Sequence, residues 1–440
     1  MLASTTLNKK MTSYRRKVSG RVKQYLPHLS DLVSGAIYRS RCNLFRLREM
    51  TGLAPKRADA EESFARFITD AEKHINALPE DYLELFCLSP LPNNQFFAAR
   101  QAELDMLQEE LERWQNGKFT TTALIGERGC GKTTLLNLAE QQLYSDYSIV
   151  KIDFLDTETI FEVDVLFEFL KQKLAHTGLP AGCQTIDELE ARIIELPEQR
   201  VFFVENLQQI FLRTTFGFDA LERFLLFVSR THQKIHWLIT CTIYSWEYFA
   251  KVLNIDEYVH RKIMLDTMPR AGYEEIILKR HKASGRRLRF KPNPEITNSR
   301  RFRKLKTEKE RQTYLKNLFF QQLSELAMGN ITVAILFLLR SYKRFSHASL
   351  TLPATIDFNP SFLYQLPAEE HFTLIAFLQH DSLNEEHHAL IFHQDVQQSL
   401  LLLNRMANKG YLEKNETGYQ IHPFLYRPIV RVLKSDNIIH

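Results

Sequence analysis

One short run of the 440-residue chain combines glycine, lysine and threonine at the spacing of a phosphate-binding loop. Gly126, Gly131, Lys132 and Thr133 fit the pattern GxxxxGK[ST]. Glycines let a loop turn tightly enough to direct consecutive backbone N–H groups at one phosphate, and the amino end of a following helix adds partial positive charge. The chain holds only 15 glycines, and three of them lie between residues 126 and 131, so the match is specific.

The pattern gives the loop residues distinct expected roles. We expect the Lys132 ammonium to reach the β and γ phosphates of a nucleoside triphosphate and the Thr133 hydroxyl to be a ligand of Mg²⁺. The residues expected to bind the nucleotide are Gly126, Glu127, Arg128, Gly129, Cys130, Gly131, Lys132, Thr133 and Thr134. An apolar run precedes the loop and a helical pattern comes after it, which is the context that the motif requires. The alternative is a glycine turn that merely precedes lysine and threonine.

A second acidic element comes after a buried apolar run. Residues 201–204 read VFFV, and Glu205 and Asn206 come next. A carboxylate at this place commonly holds the magnesium ion, so Glu205 is a predicted metal ligand together with Thr133. An amide cannot accept a proton from an attacking water and can only orient it, so Asn206 predicts slow or conditional hydrolysis, with the nucleotide acting as a switch. The alternative is that Glu205 only ends a buried strand at solvent.

A third run, 237–242, also ends in polar residues. One of its hydroxyls, Thr240 or Thr242, is placed to hydrogen-bond the γ-phosphate or the attacking water. The predicted catalytic set is therefore Lys132, Glu205, Asn206 and Thr240.

Five short apolar or β-branched runs must position these residues. They lie at 121–125, 148–154, 201–205, 235–241 and 262–266, with helical patterns between them. Continuous apolar runs are typical of parallel strands that are buried on both faces, and their alternation with helices favours right-handed crossovers. The sequence thus predicts an α/β P-loop core over 118–268, a five-stranded parallel sheet with helices on both faces.

The segments outside the core differ from it in pattern. Residues 1–60 are predicted to form a basic N-terminal arm, and 61–117 a helical N-terminal segment. After Pro269 the strand pattern stops, so 269–352 are predicted to form a helical lid domain. Three helical patterns and a hairpin at 411–421 then give 361–440 the outline of a winged-helix domain.

These motifs resemble those of AAA+ or STAND-type P-loop ATPases, most closely the origin-recognition-like branch with a C-terminal winged helix. Residues 97–104 (FAARQAEL) are similar to the box that precedes the core in these families, with Ala99 in place of its glycine. Residues 328–332 (MGNIT) resemble the turn that begins the lid helix, with Thr332 where an arginine often stands. The resemblance implies an ATPase that self-associates when ATP is bound. It makes Arg261 and Arg270 candidates for an arginine finger acting on a neighbouring subunit; the alternative is a surface arginine without a catalytic role.

The positive charge of the chain is concentrated in two segments. Residues 1–50 carry a net charge of +9 and residues 286–311 one of +8, so the rest of the +5 chain has a net charge of −12. DNA, an anionic membrane surface or an acidic protein face fits such segments. Segment 286–311 is the better candidate for DNA contact. Because 361–440 has a net charge of −3, the winged helix is interpreted as a protein-docking module or a lid on its own ATPase in preference to a DNA-binding domain. Peripheral membrane contact by the basic N-terminus stays open. The alternative for both segments is that they are a solvated arm and a solvated loop that bind no partner.

Composition indicates an ordinary soluble chain. Hydrophobic residues make up 44% and charged residues 25%, and no run approaches the roughly 18 apolar residues of a membrane helix. Five scattered cysteines without a CxxC pair argue against a disulfide framework and a zinc site, so a cytoplasmic location is expected.

Three functions agree with these observations. The first is a regulatory ATPase that binds ATP and Mg²⁺, hydrolyses slowly or with a partner, and acts as a conformational or oligomerisation switch. The second is a DNA-binding accessory or loader ATPase that uses 286–311. The third is a non-catalytic nucleotide-binding scaffold whose basic arm docks on a membrane or a partner. We favour the first.

Overall fold

A computed structural model describes residues 57–87, 100–179, 181–265, 267–415 and 418–435. The chain divides into two units, Met1–Ala60 and Glu61–His440, and the core, the lid and the C-terminal segment all belong to the second. The predicted basic arm up to residue 56, and residues 97–99 of the box before the core, lie outside the described residues.

The core is a sheet of five parallel strands, as the sequence predicts. The strands are β1 (Thr122–Ile125), β2 (Ile149–Asp153), β3 (Arg200–Glu205), β4 (Ile235–Cys241) and β5 (Arg261–Met264). Their order in the sheet is β2-β3-β4-β1-β5. Because all five run in one direction, the residues at and just beyond Ile125, Asp153, Glu205 and Cys241 meet at one edge, where ligands of open α/β sheets bind.

Helices cover both faces of this sheet. The helices before and within the core are α1 (Arg57–Asn76), α2 (Glu80–Leu85), α3 (Gln101–Gln115), α4 (Lys132–Gln142), α5 (Val163–Leu174), α6 (Ile186–Ile194), α7 (Asp219–Thr231) and α8 (Ile243–Val252). Neighbouring strand residues contribute to different cores, because side chains alternate across a strand. Phe202 packs in the layer that contains α5 to α8, and Phe203 packs in the layer that contains α3 and α4.

The lid segment is a mixed structure. Its helices are α9 (Arg270–Ala283), α10 (Pro294–Asn298), α11 (Arg300–Arg303), α12 (Glu308–Ala327) and α13 (Ile331–Ser341), and its strands are β6 (Arg287–Lys291), β7 (Arg344–Phe345) and β8 (Ser349–Pro353). The strands form a second sheet of order β6-β8-β7. The prediction that strands stop after Pro269 is therefore wrong. In β6 charged and apolar residues alternate (RLRFK), the pattern of a half-exposed strand, which the high positive charge of this segment obscures.

The C-terminal segment contains the predicted order of elements. A 3₁₀ turn at Ser361–Gln365 precedes α14 (Ala368–His380), β9 (Ser382–Leu383), α15 (Glu385–Phe392), α16 (Val396–Asn408), β10 (Leu412–Asn415), β11 (Gly418–Ile421) and α17 (Pro423–Ser435). Strands β10, β11 and β9 form a third, antiparallel sheet. The assignment of this segment as a winged helix stays a prediction. Within the described residues, no helix combines the length and apolar character that crossing a bilayer requires.

Candidate functional site

The phosphate loop lies between β1 and α4, at the edge where the strands end. Its backbone depends on glycine, because Gly131 has φ 98°, a left-handed conformation that side chains with a Cβ rarely adopt. Gly131 is also the N-cap residue of α4, so the helix begins at Lys132. The amino end of α4 is therefore set at the loop, as anion binding requires.

Lys132 is held inside the loop. Its side chain is only 8% exposed, and Nζ donates hydrogen bonds to the carbonyl oxygens of Gly126 at 2.9 Å and Glu127 at 3.0 Å. The ammonium thus lies against the loop's own backbone, close to the position at which the motif places a phosphate.

Thr133 and Glu205 are brought together from different parts of the chain. The Thr133 hydroxyl donates a hydrogen bond to Glu205 Oε2. Burial raises the pKa of Glu205, the hydrogen bond from Thr133 lowers it, and the charge of Asp153 raises it further. The positive charges of Lys132 and Lys151 lower it, so both signs of charge surround the carboxylate, whose oxygens are of the kind that Mg²⁺ prefers.

The donor set at this point fits magnesium on a triphosphate. Among the described residues no group of three or more His, Cys, Asp or Glu side chains is arranged to hold a metal ion by itself. The site instead offers one hydroxyl and one carboxylate. Mg²⁺ prefers such oxygen ligands and usually takes its remaining ligands from phosphates and water.

Asn206 and Thr240 contact each other through the backbone of Asn206. Asn206 has φ 61°, and its N–H donates to Thr240 Oγ1 at 3.0 Å. Thr240 is 1% exposed, so its hydroxyl supports the turn at the end of β3. Of the two threonines considered for the γ-phosphate, Thr242 lines the cavity over the loop. A direct role of Thr240 toward phosphate stays a prediction.

One acidic residue at this edge is absent from the set predicted from the sequence. Asp153 ends β2, and in the register of the sheet it stands opposite Glu205. Asn206 Nδ2 donates to Asp153 Oδ1 at 2.8 Å. The signal that points to Asp153 is a carboxylate at the end of an apolar strand, the same signal that identified Glu205.

A cavity of about 630 Å³ lies over the loop. The core, the lid and the C-terminal segment all contribute to its lining. Its polar lining residues include Lys132, Thr133, Asp153, Asn206, Thr242, Arg280, Asn330, Thr332, Asp381, Glu413 and Gln420. Lys132, Thr133, Asn206 and Thr242, which are predicted from separate runs of the sequence, therefore face one space, whereas Glu205 and Thr240 are not among its lining residues.

The lid contacts the phosphate loop directly. Asn330 Nδ2 donates to the carbonyl oxygen of Arg128 at 2.6 Å, and Thr332 Oγ1 donates to that of Gly129 at 3.1 Å. The N–H of Met268 donates to the carbonyl oxygen of Gly329 at 3.1 Å, which joins the end of the core to the turn before α13. The short side chain of Thr332 thus contacts the phosphate loop through its hydroxyl group.

The C-terminal segment contacts the same loop through charged side chains. Arg427 forms an ion pair with Glu127, which also accepts a hydrogen bond from the Tyr244 hydroxyl at 2.9 Å. Arg128 lies 3.5 Å from Asp381, measured from Nη1 to Oδ1. Two loop residues that the motif assigns to nucleotide binding therefore use their side chains to hold the C-terminal segment.

Three further arginines singled out in the sequence have partners within the chain. Arg100, in the box before the core, donates to the carbonyl oxygen of Cys130 at 3.5 Å, so this box touches the phosphate loop. Arg261 lies at the amino end of the sheet, opposite Thr122, and pairs with Glu109 and Glu110. Arg270 donates to the carbonyl oxygen of Asn317 at 3.2 Å. The action of Arg261 or Arg270 on a neighbouring subunit stays a prediction.

Comparison with known proteins finds similarity only among solved structures. No protein-family model matches the chain, and no curated protein matches it. The chain is 13% identical to the Aeropyrum pernix ORC1 protein solved in complex with DNA, covering 81% of this chain and 100% of that one with a TM-score of 0.43. It is 17% identical to Cdc6p from Pyrobaculum aerophilum, covering 80% of this chain and 98% of that one with a TM-score of 0.39. The solved structures to which the chain is similar thus include an ORC1 protein and a Cdc6 protein.

Proposed function

We propose that the chain binds ATP with Mg²⁺ and uses it as a conformational and oligomerisation switch, with slow or partner-stimulated hydrolysis. The observation that carries the proposal is that Lys132 and Thr133 of the phosphate loop line one cavity, with Glu205 bonded to Thr133, while the lid and the C-terminal segment both bond to that loop. We place the protein in the cytoplasm.

The residues of the site divide the work of holding a triphosphate. The loop amides and the amino end of α4 face the phosphates, and Lys132 exchanges its bonds to Gly126 and Glu127 for bonds to phosphate oxygens. Thr133 and Glu205 would hold Mg²⁺, with their mutual hydrogen bond replaced. When bound, the ion neutralises the negative charge of the β and γ phosphates.

The contacts of the loop explain how a bound nucleotide acts at a distance. Asn330 and Thr332 of the lid donate hydrogen bonds to carbonyl oxygens of the loop. In the C-terminal segment, Arg427 pairs with Glu127 and Asp381 pairs with Arg128. A nucleotide that shifts this loop must change the bonds of both segments. A ligand shifts a conformational equilibrium only by the difference in its affinity for the two conformations. Nucleotides that hold the loop in different conformations therefore favour different positions of the lid and the C-terminal segment.

Calorimetry of Mg-ATP binding tests the proposal. Replacing Lys132 by alanine removes a buried ammonium and its charge-assisted bonds to phosphate, so we expect affinity to fall by about 100-fold. The control is Lys118→Ala, an exposed lysine on the core for which we expect unchanged binding. Mass measurement with and without Mg-ATP then tests the switch, for which we expect a larger assembly only with nucleotide. Wild-type protein that takes up no Mg-ATP contradicts the proposal.

A second candidate function is DNA binding, which one surface favours. The edge strand β6 exposes Arg287, Arg289 and Lys291, and Arg300, Arg301 and Arg303 of α11 are also exposed. Within the described part of the chain, none of these six cations has a carboxylate partner, although nearby Arg286 pairs with Asp81. Exposed cations without a carboxylate partner are the groups that a phosphate backbone contacts.

A salt titration of duplex DNA binding tests this candidate. We expect the double variant Arg300→Gln/Arg301→Gln to bind more weakly and to show a salt dependence reduced by about two phosphate contacts. The matched control removes two exposed lysines of the core, Lys118→Gln/Lys251→Gln, and is expected to bind like wild type. Binding that does not weaken with salt speaks against DNA as the partner.

A further inference from the structure

We propose that Asp153 is the carboxylate that accepts the proton of the attacking water, and that Asn206 positions it. The inference rests on the proposed function and adds a catalytic residue to the same site. In the catalytic set predicted from the sequence, Asn206 carries an amide that cannot accept a proton, and Glu205, the one carboxylate of that set, is predicted to hold the metal ion.

Asp153 lies where such a group is needed. It ends β2 beside the end of β3, on the edge of the sheet that carries the phosphate loop. It lines the cavity together with Lys132, Thr133 and Asn206. Glu205, the neighbouring carboxylate, is bonded to the Thr133 hydroxyl and so belongs to the predicted metal site. Two carboxylates with different surroundings are suited to two different tasks.

The two oxygens of Asp153 are not equivalent. Oδ1 accepts two hydrogen bonds, from the N–H of Leu155 at 2.9 Å and from Asn206 Nδ2 at 2.8 Å. Oδ2 has no hydrogen-bond donor among the residues that the structure describes. The first oxygen therefore anchors the carboxylate, and the second can accept a proton.

A chain of hydrogen bonds fixes Asn206 in the role of a donor. Gln208 Nε2 donates to Asn206 Oδ1 at 3.1 Å, and the N–H of Thr242 donates to Gln208 Oε1 at 3.3 Å. The backbone N–H of Asn206 is held by Thr240. With its oxygen occupied in this way, the amide presents its NH₂ group to Asp153. The ends of β2, β3 and β4 are thus linked across the site, and a linked polar network orients its members.

The proposed step is the hydrolysis of a nucleoside triphosphate by water. The water oxygen forms a bond to the γ-phosphorus while one of its protons passes to Asp153 Oδ2. The bond between the γ-phosphorus and the β–γ bridging oxygen breaks, and its electron pair leaves with the nucleoside diphosphate. Asp153 then gives the proton to solvent, so that the products are diphosphate, inorganic phosphate and one proton.

Single-turnover hydrolysis of Mg-ATP with protein in excess tests the inference. The Asp153→Asn side chain keeps the shape and can still accept both anchoring bonds, so the variant is expected to fold and to bind Mg-ATP within about threefold of wild type by calorimetry. Its hydrolysis rate should fall about 100-fold, the ordinary contribution of a general base. The control is Asp156→Asn, an acidic residue three positions along that pairs with Lys173 and should not affect the rate.

A swap of the two side chains provides the sharper test. In Asp153→Asn/Asn206→Asp the carboxylate and the amide exchange strands, and the rate should recover at least tenfold over Asp153→Asn alone. Hydrolysis by Asp153→Asn within twofold of wild type overturns the inference. So does a wild-type protein that binds Mg-ATP but never hydrolyses it, a result that leaves the nucleotide switch intact. A failure of wild-type protein to bind Mg-ATP instead overturns the proposed function itself.

Discussion

His236 shows how a single buried side chain makes the stability of this protein depend on pH. The residue is fully buried on β4, where Thr120 Oγ1 at 3.3 Å and the Tyr144 hydroxyl at 3.2 Å are its hydrogen-bond partners. Burial lowers the pKa of His236 to about 3. The unfolded chain takes up a proton near pH 6.5 and the folded chain does not. The contribution of the neutral, buried His236 to the free energy of unfolding is therefore fully present above pH 6.5. It is lost as the pH falls from 6.5 toward 3.

We expect the free energy of unfolding to fall less steeply with acid in the variant His236→Gln. Between pH 6 and pH 4 the difference in slope should approach one proton, about 1.4 kcal/mol per pH unit. Urea denaturation at several pH values measures it, and the exposed His347→Gln serves as the control. Equal slopes in wild type and His236→Gln would contradict the prediction.

At this scale the sequence predicts residues whose spacing is fixed by one motif. Lys132 and Thr133 come from the loop pattern, and Glu205 comes from the rule that parallel strands end at one edge. Asp153 escapes prediction because the apolar run continues to Phe154, which places the aspartate inside a strand. In the structure β2 ends at Asp153 and a 3₁₀ turn begins at Phe154. Which hydroxyl reaches the cavity, Thr240 or Thr242, depends on the twist and length of β4, which the sequence does not specify.

The turn between α12 and α13 determines where the lid meets the core. Gly329 has φ 85°, and a Cβ at this position would lie 2.8 Å from the backbone N of Met268. Gly285 has a similar φ of 69°, but a Cβ there would meet nothing within 4 Å. A substitution at Gly285 therefore introduces backbone strain alone, whereas one at Gly329 introduces backbone strain and steric overlap with the core.

We expect Gly285→Ala to destabilise the protein by about 1 kcal/mol, the ordinary cost of a left-handed conformation for a residue with a Cβ. Gly329→Ala should cost about 2 kcal/mol more, because the core and the lid must also move apart. Since Asn330 bonds the phosphate loop, only the second variant should weaken Mg-ATP binding. Denaturant unfolding and calorimetry compare the two, and equal losses of stability would contradict the expectation.

Elements with a strong periodic pattern are predictable from this sequence, and short ones are not. The core strands β1, β3 and β4 are largely apolar runs, and α14 to α16 have helical spacing. Strand β6 is missed because its alternating pattern lies within a strongly basic segment, and its pairing with β8, far along the chain, adds no local signal. Strand β9 has two residues and only exists because β11 pairs with it.

Over the whole molecule, one guanidinium group joins three parts of the structure. Arg427 of α17 pairs with Glu127 of the phosphate loop and donates to the carbonyl oxygen of Met328, at the end of α12, at 2.7 Å. Removal of one partner of a buried ion pair leaves the other charge without compensation. The position of the C-terminal segment on the core therefore depends on this residue.

We expect Arg427→Met to destabilise the C-terminal segment by about 3 kcal/mol and to increase hydrogen exchange in α14 to α17 more than in the core strands. Exposed Arg405 pairs with Glu369 on the surface and lies 3.7 Å from the buried Glu370, which keeps its closer pair with Lys409. The matched control Arg405→Met therefore has an expected loss below about 1 kcal/mol. Exchange measured by mass spectrometry checks both. A uniform increase over the whole chain would show that Arg427 supports the fold in general and not this contact.

Contacts of this kind mark the limit of prediction from the sequence. Local patterns predict a core, a lid and a C-terminal domain in this order, together with most elements of each. That Glu127 and Arg128 bond the C-terminal segment depends on how these parts pack. Their side chains occupy variable positions of the loop motif, for which the pattern requires no residue type.

The edge strand β6 has a further consequence for solubility. An open edge offers unpaired backbone groups to any other strand, and lysine or arginine along it discourages such pairing between molecules. Arg287, Arg289 and Lys291 therefore help to keep separate copies from stacking into aggregates, whatever anion they bind. Variants that neutralise this strand are expected to precipitate more readily. The test of DNA binding therefore changes residues of α11 and leaves those of β6 as they are.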